Sequence, residues 1–204
     1  MEFSKYIVPV ISGNESFGTG FLYKDYLITA NHIVTNKINS SFRFDGNWYK
    51  LKTNCFIVFP RDEQWRYPNE AQDLFVCKTE IYGSDLILSR SSNKMNNYKY
   101  QGYYFDESSN DFMNVVTPEL KLYHETAYNE KGEKLYNCFS CKGNVLKSSN
   151  SGGPLFESDV IIGMLIRSIK HQGGITESVF IKTDYILKEI EKGLIIFNEI
   201  NNPG

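Results

Sequence analysis

Short apolar segments separated by turn residues run along almost the whole chain. The first half contains KYIVPVIS, GTGFLYKDYLITA, SFRFDGNWYKLK, CFIVFP and DLFVCKT, with Gly, Asn, Asp or Pro in or between most of them. β-Branched and aromatic residues favour pleated strands, and frequent turn signals are typical of β-sandwiches and barrels rather than of alternating strands and helices. Most of the chain is therefore predicted to be all-β.

A polar segment divides this pattern into two halves. SRSSNKMNNYKYQG, residues 89–102, has the weakest apolar pattern in the chain. It is predicted to link a β-rich unit at residues 1–88 to a second one at residues 103–182.

The period of the apolar pattern changes near the end of the chain. In TDYILKEIEKGLIIF, apolar side chains recur at helical spacing, at Ile186, Ile190, Leu194 and Ile195. This predicts one C-terminal helix over residues 183–197, with its apolar stripe packed on the core rather than on a partner.

Composition and charge exclude several classes of protein. The chain has 204 residues, 22 Lys and Arg against 24 Asp and Glu, and no basic stripe, so no nucleic-acid partner is expected. No continuous apolar segment approaches the roughly 18 residues of a membrane span. The start, MEFSKYIVPVISG, lacks the long apolar run of an export signal, which predicts a cytoplasmic protein.

The cysteines do not form a recognisable ligand set. CFSC, with Cys138 and Cys141, has no second Cys or His pair at a matching spacing. Buried or idle thiols are therefore favoured over a metal site, a Cys141–His124 dyad has no supporting context, and no cofactor or metal is predicted.

The segment SNSGGPLF is the first candidate for chemistry. Ser151 is followed by Gly152 and Gly153 and then by proline. Taken alone, these residues fit an ordinary turn. A serine nucleophile also needs a base within hydrogen-bond reach and a group that orients the base.

The rest of the chain supplies both partners. Of the three histidines, His32 directly follows a strand-like segment in YLITANHIV, whereas His124 and His171 are predicted to be surface or loop residues. Asp73 begins the apolar segment DLFVCK, where a buried carboxylate could fix the tautomer of an imidazole.

The order His32, Asp73, Ser151 is the order of the chymotrypsin template. GTGF…LITANHIV, DLFVCK and SNSGGPLF together resemble the three signature regions of trypsin-like serine peptidases, in particular the disulfide-free bacterial and viral branch. The resemblance covers nearly the whole chain. It implies an all-β chymotrypsin-like fold, with two six-stranded antiparallel β-barrels, a C-terminal α-helix and an active site in the cleft between the barrels.

The resemblance also implies roles for individual residues. Ser151 would attack a peptide carbonyl, His32 would take its proton, and Asp73 would orient His32. The backbone N–H groups of Ser149 and Ser151 would form the oxyanion hole. Gly152 and Gly153 would shape the loop that exposes the serine.

The chain departs from the family pattern next to the nucleophile. Ser149 stands where most relatives have glycine, and its Cβ restricts the backbone. This predicts an oxyanion hole that is collapsed or flipped until a substrate or partner binds. Since the Ile-Val-Gly-Gly start of cleaved zymogens has no match, control by a regulatory partner, a fused domain or substrate-induced ordering is expected instead.

Alignment through the serine also gives a candidate substrate pocket. Its base lies near Val145 and Leu146, and its walls are formed by Ile166, Arg167, Ser168 and Ser178. The pocket base has no carboxylate, which favours an apolar or small polar residue before the scissile bond. Arg167, Lys170 and His171 leave an acidic preference open, and Glu177 leaves a basic one open.

The sequence thus predicts a serine endopeptidase that acts on a protein or peptide substrate through an acyl-enzyme. The alternative is a catalytically weak or inactive protease-fold module that binds peptides in the cleft. Ser149 favours the alternative, and the complete set of His32, Asp73 and Ser151 opposes it.

Overall fold

The structure is a computed structural model that describes residues 4–51, 56–59, 73–83, 86–89, 97–129, 131–143, 146 and 148–201. Side chains are described throughout these ranges except at 37, 56–59, 148 and 193–201. Val145 and residues 90–96 of the predicted linker lie outside the described residues.

Six antiparallel strands form the N-terminal sheet. They are β1 (Ile7–Ser12), β2 (Ser16–Ala30), β3 (Ser40–Phe44), β4 (Asn47–Lys50), β5 (Phe56–Phe59) and β6 (Leu74–Gly83). Their order in the sheet is β4-β3-β1-β2-β6-β5, and the sheet curls into a closed barrel. The long strand β2 lies in the middle of this order and ends directly before the turn Asn31–Ile33, which contains His32.

The C-terminal half forms a second curled sheet of seven strands. From residue 87 onward, the strands in chain order, including two outside this sheet, are β7 (Ile87–Leu88), β8 (Tyr98–Asp106), β9 (Asp111–His124), β10 (Ala127–Tyr128), β11 (Lys134–Leu135), β12 (Cys138–Lys142), β13 (Pro154–Glu157), β14 (Val160–Lys170) and β15 (Thr176–Lys182). The helix α1 (Thr183–Asn201) follows them. The sheet order is β13-β8-β9-β12-β15-β14-β7, and β13 also pairs with β14. These pairings link six strands in a continuous ring, while β10 and β11 form a separate hairpin.

The predicted fold class is confirmed: the protein is an all-β, chymotrypsin-like structure with one C-terminal helix. Three details differ from the prediction. β7 lies within residues 1–88 but pairs in parallel with β14 of the second sheet, as its seventh strand. β8 begins at Tyr98, so the last part of the segment predicted as a linker is a strand. The helix continues to Asn201 instead of ending at 197.

Two apolar clusters fill the molecule. The smaller one lies inside the second barrel and includes Tyr98, Tyr100 and Phe180. The larger one continues from the first barrel to residues on the other side of β14 and β15, such as Met164 and Val179. Since this cluster contains residues of both halves, the two barrels share a core.

The C-terminal helix packs on this shared core. Ile186 and Ile190 are buried in the larger cluster, as the helical spacing predicted. The Thr183 hydroxyl donates to the carbonyl of Ile161 at 3.2 Å, which fixes the start of the helix against β14. The side chains of Leu194 and Ile195 lie outside the described ones.

Aromatic side chains join the barrels at one edge of their interface. Phe17 on β2 stacks on Phe105 on β8, with ring centroids 4.0 Å apart and an interplanar angle of 5°. Phe112 packs edge-on against both rings. Nearby, the Arg43 guanidinium donates to the carboxylate of Asp111 at 2.9 Å. This cluster connects β2 and β3 of the first barrel to β8 and β9 of the second.

Removing one ring of the stack is expected to destabilise the protein. Phe105→Ala loses burial and an aromatic pair, so the free energy of unfolding should fall by about 2 kcal/mol in urea denaturation. Tyr82→Ala is the matched control, because Tyr82 is 62% exposed and should change stability by less than about 0.5 kcal/mol. Equal losses in the two variants would contradict a structural role for the stack.

Candidate active site

His32 and Asp73 are held together by two hydrogen bonds. His32 lies in a short 3-10 turn, Asn31–Ile33, directly after β2. Its Nδ1 lies 2.6 Å from Oδ2 of Asp73, and its backbone N–H donates to Oδ1 at 2.8 Å. Because a carboxylate accepts but does not donate, Nδ1 carries the proton and Nε2 is the ring atom able to accept one.

Asp73 is held in place by burial and by hydrogen bonds to its side chain and backbone. Its side chain is fully buried, at 0% exposure, and its carbonyl accepts the N–H of Asn31 at 3.0 Å. Its φ of 47° lies in the left-handed region, which is uncommon for a residue with a side chain and is more accessible to Asp than to most. The bonds from His32 and Asn31 hold Asp73 in this conformation at the start of β6.

The loop that carries Ser151 docks on the first barrel. The Ser151 carbonyl accepts the N–H of Thr19 on β2 at 2.8 Å. Thr29 of the same strand donates its hydroxyl to the Thr19 carbonyl at 2.7 Å. Since β2 runs from Thr29 through Ala30 into the turn of His32, one strand supports both the serine loop and the histidine.

Gly152 makes this docking possible. Its φ is 86°, and its N–H donates to the carbonyl of Leu165 at 2.7 Å. A Cβ at this position would lie 1.9 Å from the Thr19 carbonyl oxygen and 2.5 Å from Oγ1 of Thr29. Both the backbone angle and the close approach therefore require glycine.

The residues before Ser151 form a 3-10 turn, Ser148–Asn150. In such a turn each N–H points toward the carbonyl three residues earlier, which for Ser151 is the carbonyl of Ser148. Ser149 is half-buried and is the middle residue of this turn. The family resemblance assigns the N–H groups of Ser149 and Ser151 to the oxyanion hole. In the structure, Ser149 lies within the 3-10 turn and Ser151 directly follows it.

The candidate pocket residues lie on two paired strands. Ser168 on β14 is directly opposite Ser178 on β15, and Ser178 is 2% exposed. Arg167 is half-buried and opposite Val179. Ile166 is buried in the larger apolar cluster.

The described part of the predicted pocket base is apolar. Leu146 is buried in the core of the second barrel. Glu177 is buried, and its Oε2 lies 2.6 Å from Nε2 of His171. Because successive side chains of a strand alternate between faces, Glu177 lies on the opposite face of β15 from Ser178.

The two cysteines of CFSC are buried free thiols. Burial raises the pKa of Cys138 to about 12, a shift that Lys182 opposes and Asp73 reinforces. Burial also raises the pKa of Cys141 above its ordinary value. Neither thiol is therefore ionised near neutral pH, which excludes an activated cysteine nucleophile at either position.

The residues that the structure describes contain no group of three or more His, Cys, Asp or Glu side chains placed to hold a metal ion. In the same part of the chain, no helix is both long and apolar enough to cross a membrane.

Sequence reasoning missed two groups that support the serine loop. Thr19 was visible only as part of GTGF, and its bond to Ser151 joins residues far apart in the chain. Tyr100 lay inside the segment predicted as a linker, but its hydroxyl donates to the carbonyl of Asn150 at 2.5 Å. The glycines near it, Gly102 and Gly153, were the only sequence signal of a close approach.

Comparison with known proteins places the fold. No protein-family model and no curated protein match the chain. Among solved structures, the scabies mite inactivated protease paralogue S-D1 is similar, with a TM-score of 0.69, 13% identity, and coverage of 92% of this chain and 91% of that one. An inactive mutant form of Rv3671c from M. tuberculosis H37Rv gives a TM-score of 0.66, 15% identity, and coverage of 92% and 86%. A serine protease of a human pathogenic astrovirus gives 0.58, 18%, and coverage of 90% and 95%. The chain therefore has the fold of trypsin-like serine proteases.

Replacing Gly152 is expected to disrupt the docking of the serine loop. In Gly152→Ala the new methyl group would overlap the Thr19 carbonyl, so the free energy of unfolding should fall by about 3 kcal/mol or more in urea denaturation. Gly46→Ala is the matched control, because Gly46 has a φ of 78° but nothing within 4 Å of the added Cβ.

The control variant separates the cost of backbone strain from the cost of steric overlap with Thr19. Gly46→Ala should cost only about 1 kcal/mol, the strain of a left-handed alanine. If both variants lost the same stability, close contact between Gly152 and β2 would not be needed for folding.

Proposed function

We propose that the protein is a serine endopeptidase that cleaves peptide bonds with Ser151 as nucleophile, His32 as general base and acid, and Asp73 as the residue that orients His32. One observation carries the proposal. The buried Asp73 fixes His32 with Nε2 available, and the strand that leads into His32 is the strand on which the Ser151 loop docks. A nucleophile, a base and an orienting group are the three parts that acyl transfer by serine requires.

In the proposed reaction, Nε2 of His32 takes the proton from the Ser151 hydroxyl as its oxygen bonds to the substrate carbonyl carbon. Asp73 stabilises the resulting imidazolium through the Nδ1 hydrogen bond of 2.6 Å. The imidazolium then gives its proton to the leaving amine as the peptide C–N bond breaks. Water, deprotonated by His32, releases the acyl group from Ser151.

The paired serines support an uncharged residue before the scissile bond. Ser168 and Ser178 face each other on neighbouring strands, and Leu146, which the family alignment assigns to the pocket base, is a buried apolar residue of the second barrel. Glu177 is hydrogen-bonded to His171 and lies on the other face of β15 from Ser178. Both facts argue against a preference for Lys or Arg before the scissile bond.

The turn before the nucleophile supports regulation by ordering. With Ser148–Asn150 in a 3-10 turn, the Ser148 carbonyl competes with a substrate oxyanion for the Ser151 N–H. Opening the hole requires the peptide between Ser148 and Ser149 to turn over. This rotation takes φ of Ser149 from its helical value toward the left-handed region, where a Cβ is disfavoured.

The same turn supports a second candidate function, a protease-fold module that binds peptides without cleaving them. Similarity to a paralogue described as inactivated is compatible with that alternative. The buried free thiols of Cys138 and Cys141 support a reducing, cytoplasmic location for either function.

A fluorophosphonate probe distinguishes the two functions, because it phosphonylates only an activated serine. The wild-type protein should become labelled, and Ser151→Ala should lose labelling completely. Ser41→Ala, a serine on β3 away from the cleft, should be labelled at the wild-type rate. Absence of labelling in the wild type at high probe concentration and long reaction time would support the binding module instead.

Replacing Ser149 by glycine tests the proposed regulation. Ser149→Gly removes the Cβ that opposes the peptide flip, a cost of about 1–2 kcal/mol, so the labelling rate should rise about tenfold. Ser158→Gly is the control, since Ser158 has a φ of 55° in the turn between β13 and β14. It should increase stability without changing the labelling rate.

The two glycine variants separate local strain from control of the site. An unchanged rate in Ser149→Gly, measured on a wild type that does label, would overturn the role of Ser149 and leave the nucleophile assignment intact.

A further inference from the structure

We propose that Tyr100 is a positioning residue for catalysis, whose hydroxyl fixes the peptide between Asn150 and Ser151 and thereby aims the Ser151 N–H at the oxyanion. This inference rests on the proposed function. It adds a group in the core of the second barrel to the residues that set the geometry of the nucleophile.

The hydrogen bond from Tyr100 is short and fully enclosed. Tyr100 lies on β8 with 0% exposure, and its O–H donates to the carbonyl of Asn150 at 2.5 Å. Burial raises the pKa of the phenol well above its ordinary value. The hydroxyl is therefore protonated, and a donor, near neutral pH.

Two glycines make room for this hydroxyl. A Cβ added at Gly102 would lie 2.0 Å from the Tyr100 oxygen, and one added at Gly153 would lie 2.2 Å from it. Gly102 precedes Tyr103 on β8, and Gly153 directly follows the docking residue Gly152. The hydroxyl thus occupies a slot between its own strand and the serine loop.

Other bonds hold the groups on either side of this peptide, and the Asn150 carbonyl also accepts the Gly153 N–H at 3.3 Å. The Asn150 side chain donates from Nδ2 to the carbonyl of Tyr103 at 2.9 Å. On the other side, the Ser151 carbonyl accepts the Thr19 N–H at 2.8 Å. The Asn150–Ser151 peptide is therefore clamped between β8 of the second barrel and β2 of the first.

Peptide geometry transmits this clamp to the reaction site. The described chain contains no cis peptide bond, so the Asn150 carbonyl and the Ser151 N–H point in opposite directions. When Tyr100 draws the carbonyl into the barrel core, the N–H is directed away from the core. An oxyanion donor acts only if its direction is set before charge develops, and losing one typically costs about 10²–10³ in rate.

Tyr100 and Ser149 then act on different donors of one oxyanion hole. The Ser151 N–H has a direction fixed by Tyr100, whereas the Ser149 N–H belongs to the turn that must reorganise. Removing the Tyr100 hydroxyl should loosen the fixed donor and lower the rate of acyl transfer, without altering the His32–Asp73 pair.

Tyr100→Phe tests the proposal, with Tyr98→Phe as the matched control. Tyr98 is also buried on β8 and faces the same core, at 2% exposure. For each variant, the second-order rate of fluorophosphonate labelling is measured across pH and normalised to the folded fraction from circular dichroism. Tyr100→Phe should lower the plateau rate about tenfold or more and leave the pH midpoint, which reports His32, unchanged.

The outcomes are distinguishable. Tyr98→Phe should keep the wild-type plateau and midpoint. If the wild type labels and Tyr100→Phe labels as fast as Tyr98→Phe, the positioning role is wrong. A shifted midpoint in Tyr100→Phe would also overturn it, because the effect would then act through His32. Failure of the wild type to label would reject the proposed function itself.

A second substitution covers the case in which Tyr100→Phe does not fold. Incorporation of 3-fluorotyrosine at position 100 keeps the ring and the hydroxyl but makes the hydroxyl a stronger donor. A changed plateau rate at a constant midpoint would support the role of Tyr100, and an unchanged rate would contradict it.

Discussion

The docking of the serine loop on β2 is the contact on which the rest of the site depends. Gly152 approaches the Thr19 carbonyl so closely that no other residue fits, and the Thr19 N–H binds the carbonyl of Ser151. Because β2 also ends in the turn of His32, this contact places groups from two barrels along a single strand. The core shared by the barrels and the Phe17–Phe105 stack stabilise the relative position of the two barrels.

Around this contact, the residues that hydrogen bonds hold in one conformation are distinct from the turn that can change its conformation. Asp73 is buried and uses both carboxylate oxygens on His32, so the imidazole has one tautomer and one orientation. Tyr100 holds the peptide before Ser151 from within the core. The 3-10 turn that contains Ser149 is the part with an alternative conformation to reach. Proteolysis needs restraint, and the proposed enzyme would obtain it from this turn rather than from disorder of the whole loop.

The sequence predicted much of this fold and of the candidate site. Alternation and turn signals identified the strands, helical spacing identified α1, and the order of His32, Asp73 and Ser151 pointed to the chymotrypsin-like fold. Sequence could not assign β7 to the second sheet, because the pairing of Ile87 with Val160 is set by tertiary contact. It missed Tyr100 for the same reason, since only folding brings that hydroxyl to Asn150.

A crystal structure of the protein after reaction with a fluorophosphonate would show directly whether Ser151 is the nucleophile. Phosphorus should be bonded to Oγ of Ser151, with Nε2 of His32 within about 2.6–3.2 Å of an oxygen of the adduct. The phosphonyl oxygen should accept the N–H groups of both Ser149 and Ser151, with the 3-10 turn opened. An adduct on another residue, or an unmodified Ser151 with Nε2 of His32 directed away from it, would contradict the proposed roles of Ser151 and His32.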